Sequence, residues 1–174
     1  MESKKASLSF IKAIVVLTAI CLITSLALAA INTVTSPIIS QAEKEAETNA
    51  LKEVLPSAEK FEELRLDELS LDEKITAVYR DTAGDGFVFK IVTKGYKSKL
   101  TILCGIGADG KVAGATCLTS SETLGQEKTY GKNFIDKGAD SVMNVDTVSG
   151  ATLTTNAYRD AVKLALDAFN SVKD

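Results

Sequence analysis

Apolar residues follow three different rhythms along this chain. Residues 13–31 read AIVVLTAICLITSLALAAI, an apolar run without a single charge. Its length matches the roughly 20 residues a helix needs to cross a ~30 Å hydrocarbon core, so it predicts a transmembrane helix. Lys4, Lys5 and Lys12 precede the run, and residues 32–41 after it carry no positive charge. The excess of cations on one flank puts the N-terminus in the cytoplasm and everything from about residue 32 outside. A cleaved secretory signal is the competing reading, because residues 26–30 (LALAA) offer small side chains for cleavage. The run exceeds the ~7–15 apolar residues of such signals, which favours retention as an anchor. Lipoprotein processing at Cys21 is disfavoured by Ile20, since a small residue is wanted there.

The second rhythm is helical. Ile38, Ala42, Ala46, Ala50, Leu51 and Val54 recur at helical spacing among Glu and Lys, with Pro37 at the expected helix start, and residues 55–57 (LPS) close the segment. Residues 59–73 are acidic and low in β-branched side chains, and read as an irregular or partly helical surface. A third rhythm begins at residue 75. The short apolar runs ITAVY, GFVFKIV, LTILCGIG and VAGATCL are separated by turn-forming residues at 81–86, 94–95 and 108–110, which predicts antiparallel strands. Helical spacing returns over residues 156–172, with Ala157, Ala161, Leu164, Ala165, Ala168 and Val172 on one stripe. The fold class is α+β, with helices packed on an antiparallel sheet behind a single N-terminal transmembrane helix. The domain plan is residues 1–12 as cytoplasmic N-terminus, 13–31 as membrane helix, 32–73 as connecting helix and acidic segment, and 74–174 as the folded domain.

Composition narrows the chemistry. The 174 residues contain no His, which removes the commonest metal ligand and general base and excludes Ser-His-Asp and Cys-His mechanisms. Net charge is -3 with the signs interspersed, so no basic face stands ready for nucleic acid. Cys21, Cys104 and Cys117 have no C-x-x-C spacing, and no metal site is predicted. A hairpin through residues 108–110 places Cys104 and Cys117 on one face but diagonally, about 7–8 Å apart. That is too far for an unstrained disulfide, so both are expected as free, buried thiols. Chemistry in such a chain belongs to a cofactor, with no catalytic side chain of its own.

Residues 146–152 read DTVSGAT, just ahead of the predicted last helix. Asp146, Ser149, Gly150, Ala151 and Thr152 are residue types that suit an irregular backbone close to a ligand, and unpaired amides at a helix start favour an anion such as phosphate. Taken locally, the same residues also describe ordinary capping and turn chemistry. The D-x-x-S-G-A-T pattern, however, resembles the flavinylation motif of FMN-binding domains, as found in the G subunit of Rnf-type complexes and the C subunit of sodium-pumping quinone reductases. The resemblance extends to residues 50–56 (ALKEVLP), to Gly95-Tyr96 and to residues 106–112 (IGADGKV).

That resemblance implies FMN bound covalently through its phosphate to the hydroxyl of Thr152, with Thr154 and Thr155 as neighbouring alternatives that lack the preceding Gly-Ala. It implies a loop against the flavin ring, here Glu122, Thr123, Leu124 and Gly125. Leu124 stands where the family pattern has Pro, Glu127 falls at its second Gly, and Ser120 replaces a common upstream His. The implied role is an electron-transfer subunit, and so a translocase component, of a membrane-bound ferredoxin:NAD oxidoreductase of Rnf type coupled to ion movement. The implied partners are the other subunits, a flavin transferase that uses FAD, and membrane lipid. A quinone-reductase C subunit, a stand-alone extracytoplasmic flavoprotein reductase and a flavin-free tethered adaptor domain are the alternatives.

Overall fold

The computed structural model describes residues 2–69, 71–84 and 86–173, with side chains from residue 12 onward apart from that of residue 68. The side chains of Lys4 and Lys5, on which the orientation argument partly rests, lie outside the described residues, as do Ser70 and Asp85 in the predicted acidic segment and first turn. The elements are α1 (Glu2–Val54), β1 (Phe61–Glu63), a 3-10 turn (Leu66–Glu68), β2 (Ile75–Asp81), β3 (Phe87–Lys94), β4 (Lys99–Ile106), β5 (Val112–Thr119), α2 (Glu127–Tyr130) and α3 (Thr152–Lys173). Contacts divide the chain into two units, Met1–Glu45 and Ala46–Asp174.

The first unit is helical throughout its described length. Among the described residues, one helix is long and apolar enough to cross a membrane. Leu17, Ile23, Leu26 and Leu28 present their side chains outward, 60–70% exposed. Such a surface has no favourable place in water and is satisfied in hydrocarbon. The hydroxyls of Thr24 and Thr33 donate to carbonyls one turn back, Ile20 O at 2.9 Å and Ala29 O at 2.8 Å, so neither is left unpaired on the helix surface. Pro37 is not a helix start, contrary to expectation: it lies inside α1. Its ring holds φ near the helical value, so the backbone runs through at the cost of one donor, the N–H that residue 33's carbonyl would otherwise receive.

The second unit is built on a five-stranded antiparallel sheet in the order β1-β2-β3-β4-β5, each strand beside its sequence neighbour. The four strands predicted from the apolar runs are β2 to β5. β1 is an addition: Phe61, Glu62 and Glu63 pair with Asp81, Arg80 and Tyr79 at the sheet edge. Two glutamates with weak strand preference join Phe61 in it because β2 offers an open row of backbone partners, a tertiary effect that local composition does not register.

Both sheet faces are covered, as the consecutive apolar residues of β3 and β4 require once period two sends them to opposite faces. On one face Phe87, Phe89, Ile91, Ile102, Cys104 and Ile106 meet Tyr158, Val162, Ala165, Leu166 and Phe169 of α3. On the other, Val88 and Leu103 meet Ala50, Leu51 and Val54 from the last turns of α1, together with Leu55 and Ala58. Ile38, Ala42 and Ala46 of the predicted stripe remain exposed. The close approach of α1's end depends on Gly105 and Gly114, which are paired across β4 and β5. A Cβ on Gly114 would sit 2.8 Å from the Val54 Cα and carbonyl oxygen, and one on Gly105 would strike that same oxygen. Glu47 is clamped to this face by Lys90 Nζ (2.6 Å) and the Tyr79 hydroxyl (2.8 Å).

The cysteines are free, with Cys104 buried and Cys117 only half-buried. Cys104 pairs with Ala115, and Cys117 with Ile102, the expected diagonal. Burial pushes both thiols up to about 12, which keeps them protonated and unreactive at neutral pH.

Candidate functional site

The first residue of α3 is Thr152, so the helix begins four residues earlier than the periodicity indicated. Thr155 accounts for the difference. Its hydroxyl accepts the Val148 N–H (3.3 Å) and donates to Ala151 O (3.0 Å), turning the preceding loop into the helix. Gly150 precedes the helix at φ +83°, a left-handed conformation that glycine adopts without strain. The loop behind it is pinned from two sides. The Tyr130 hydroxyl donates to Asp146 O at 2.9 Å, and Arg159 donates to the carbonyls of Met143 and Val145 at 3.4 Å.

The segment after β5 is brought to the same place by one carboxylate. Glu122 Oε1 accepts the backbone N–H groups of Lys97 and Ser98, each at 3.0 Å, and the Ser98 hydroxyl at 3.3 Å. Its Oε2 accepts the Thr154 hydroxyl at 2.9 Å. Partial burial opposes the charge, but the Ser98 and Lys97 amides and the Thr154 and Ser98 hydroxyls outweigh it and hold the carboxyl below the usual glutamate range. Glu122 therefore joins three segments: the β3–β4 turn, the post-β5 loop and the start of α3.

Between these segments lies a cavity of about 270 Å³. Glu122, Thr123 and Leu124 line one side and Gly150, Ala151 and Thr152 the other. Three residues expected at the site stand outside the lining. Gly125 adopts φ +65° in the adjoining turn, while Ser149 and Asp146 are exposed on the loop before α3, Asp146 taking part through its carbonyl. Three lining residues were not expected there, Tyr96, Gln126 and Leu153, while Thr154 was expected only as an alternative attachment point and Glu127 only as a departure from the loop pattern. The bonds of Thr154 to Glu122 and of Glu127 to Ser120 carried no local signal, since the partners are distant in sequence or lie across a turn. A second cavity, lined by Asp72, Lys74, Asp160, Lys163 and Asp167 among others, contains none of the expected site residues.

The three threonines at the start of α3 differ sharply. Thr155 is fully buried and Thr154 is 4% exposed, and both hydroxyls are bonded internally. Thr152 is exposed at the cavity, and among the described residues nothing bonds its hydroxyl. It is the hydroxyl of the three that is free to react.

The walls suit a flavin nucleotide. Leu124, Leu153, Ala151 and Tyr96 offer apolar surface for a planar ring, and Leu124, Leu153 and Tyr96 are each more than 60% exposed. Among the described residues no Lys or Arg lines the cavity. A phosphate would be held by first-turn amides of α3, which have no intrahelical partner, and by the positive end of the helix dipole. Open space surrounds Gly150, where an added Cβ would meet nothing within 4 Å. The volume lies near the lower end of the ~300–1,000 Å³ range of ligand sites, so part of such a ligand would remain outside the cavity.

Comparison with known proteins agrees with this geometry. Residues 95–167 match the family described as FMN-binding domain, a stretch that includes every residue lining the cavity. Over 165 residues, 87% of this chain and 86% of the relative, the chain is 24% identical to the G subunit of the proton-translocating ferredoxin:NAD(+) oxidoreductase complex of Clostridium ljungdahlii. It is 26% identical over 186 aligned positions, 90% of both chains, to the G subunit of the Na(+)-translocating ferredoxin:NAD(+) oxidoreductase complex of Acetobacterium woodii. With the G subunit of the ion-translocating oxidoreductase complex of Methanosarcina acetivorans, identity is 28% over 173 residues, 90% of this chain and 92% of the relative.

Proposed function

We propose that this chain is the G-type subunit of an ion-translocating ferredoxin:NAD oxidoreductase complex, anchored by α1 and carrying FMN joined to the Thr152 hydroxyl. The observation that supports it most is the meeting of two distant segments, 122–124 and 150–152, on one cavity inside the stretch that matches an FMN-binding domain. Similarity to three such G subunits along most of the chain supports the membership of a multi-subunit membrane complex.

A bound flavin supplies the ability to take up two electrons and release them one at a time. The chain's own residues do the holding. Thr152 offers the attachment oxygen, Gly150 leaves room beside it, and the first-turn amides of α3 face the phosphate charge. Glu122 keeps the ring-side loop in place through the Lys97 and Ser98 amides and Thr154. Attachment by a flavin transferase balances if the Thr152 oxygen forms the new P–O bond as the FAD pyrophosphate bond breaks, AMP departs and the hydroxyl proton is released. A covalent link prevents loss of the cofactor on the outer side of the membrane, where no pool of free FMN is assured.

Mass spectrometry of the protein expressed with a flavin transferase tests the attachment. An addition of roughly 438 Da and a fluorescent band after denaturing electrophoresis are expected. Thr152→Ala is expected to lose both while folding normally, with stability changed by less than about 0.5 kcal/mol, because the side chain is exposed and caps nothing. Flavin surviving denaturation on that variant would overturn the assignment. A protein that never acquires flavin would instead favour a tethered adaptor domain.

A further inference from the structure

We infer that Glu127 is the carboxyl that receives the ring N–H of the bound flavin, an inference resting on the FMN site proposed above. Two carboxylates line the cavity, Glu122 and Glu127. Both oxygens of Glu122 are occupied within the protein, so it has little left to offer a ligand. Glu127 is different. It is only 2% exposed, its Oε1 accepts the Ser120 hydroxyl at 2.7 Å, and its Oε2 is buried with no hydrogen-bond partner among the described residues.

A carboxyl oxygen buried without a donor is unfavourable by roughly 1–3 kcal/mol or more, and a native fold retains one where something outside the chain completes it. The flavin ring carries the complementary group. Its pyrimidine edge presents one N–H between two carbonyl oxygens, so it asks for a single acceptor with a donor beside it. Glu127 supplies the acceptor, and the neighbouring Gln126 side-chain amide, also at the cavity, supplies a donor. Ser120 holds the carboxyl by its other oxygen: its hydroxyl donates to Oε1 and accepts the Glu122 N–H at 3.1 Å, which leaves Oε2 as the oxygen still to be completed. Ser120 and Glu127 are two of the positions at which this chain departs from the flavin-loop pattern it resembles, and they are bonded to each other.

The test uses the full-length protein in detergent, loaded with 15N-labelled flavin in cells and confirmed as loaded by its mass. The nitrogen of the ring N–H reports its own hydrogen bond, and its NMR signal moves upfield when an acceptor is withdrawn. Glu127→Gln keeps the size and the bond from Ser120 but sets a donor where the acceptor stood, and Glu127→Asp keeps the charge but shortens the reach. Both are expected to shift the signal upfield, and Glu127→Gln is also expected to raise the flavin's midpoint potential by removing a negative charge beside the ring. An unmoved ring N–H signal in both loaded variants would overturn the role of Glu127 and leave the attachment at Thr152 standing. Unsubstituted protein without flavin would overturn the site and this inference together. Should Glu127→Gln fail to fold, Glu127→Asp alone decides between the first two outcomes.

Discussion

At the residue scale, the site depends less on its reactive hydroxyl than on the carboxylate that holds its walls. Glu122 receives two backbone amides and two hydroxyls from two other segments, and each such bond favours its ionised form. A carboxyl held below its ordinary pKa in the folded state contributes stability at pH values above the unfolded pKa, about 4.3, and that contribution disappears as pH falls through the folded value. Thermal unfolding followed from pH 7 down to pH 3 is therefore expected to show a loss of stability below about pH 4.3, with a shallower loss in Glu122→Gln. Equal slopes for the two proteins would show that Glu122 does not hold the loop. Glu122 was legible as a candidate because its loop resembles one that faces a flavin. Its bonding was not, since the partners lie 24 to 32 residues away.

Among the elements, β4, β5 and the end of α1 form the most exacting contact. Gly105 and Gly114 face each other across the two strands, and the backbone of Val54 rests where their side chains would be. Gly114→Ala is expected to destabilise the domain by about 1–3 kcal/mol in denaturant titrations, because backbone rather than a mobile side-chain tip must give way. Gly138→Ala is the control, since an added Cβ there meets nothing within 4 Å and φ is not left-handed. A similar stability for both variants would remove the close approach from the account. The strands were readable as short apolar runs between turn residues, because each side of the sheet meets an apolar partner and both faces of a strand are then apolar. β1 and the passage of α1 through Pro37 were not readable, as pairing partners and neighbouring helical turns override the preferences of Phe61–Glu63 and of a single proline.

For the whole molecule, the proposal places the folded domain outside the cytoplasmic membrane, with Lys4, Lys5 and Lys12 inside. Protease added to intact cells is expected to degrade the domain, and protection there with cleavage only in inverted vesicles would reverse the orientation. The amino-acid sequence by itself determined the apolar helix, the α+β class, the four long strands β2 to β5 and the motif ending in Thr152. Each is written in contiguous residues, as periodicity, length or pattern, and local physics reads contiguous residues well. That the 122–125 loop and the 149–152 motif serve one flavin site was implied by resemblance, whereas tertiary structure alone decided which of their residues line the cavity, that Thr152 is the exposed hydroxyl of three, and that Glu127 keeps an oxygen without a partner. Burial and the satisfaction of polar groups are properties of what surrounds a side chain, and those surroundings exist only once the sheet, its loops and α3 have packed.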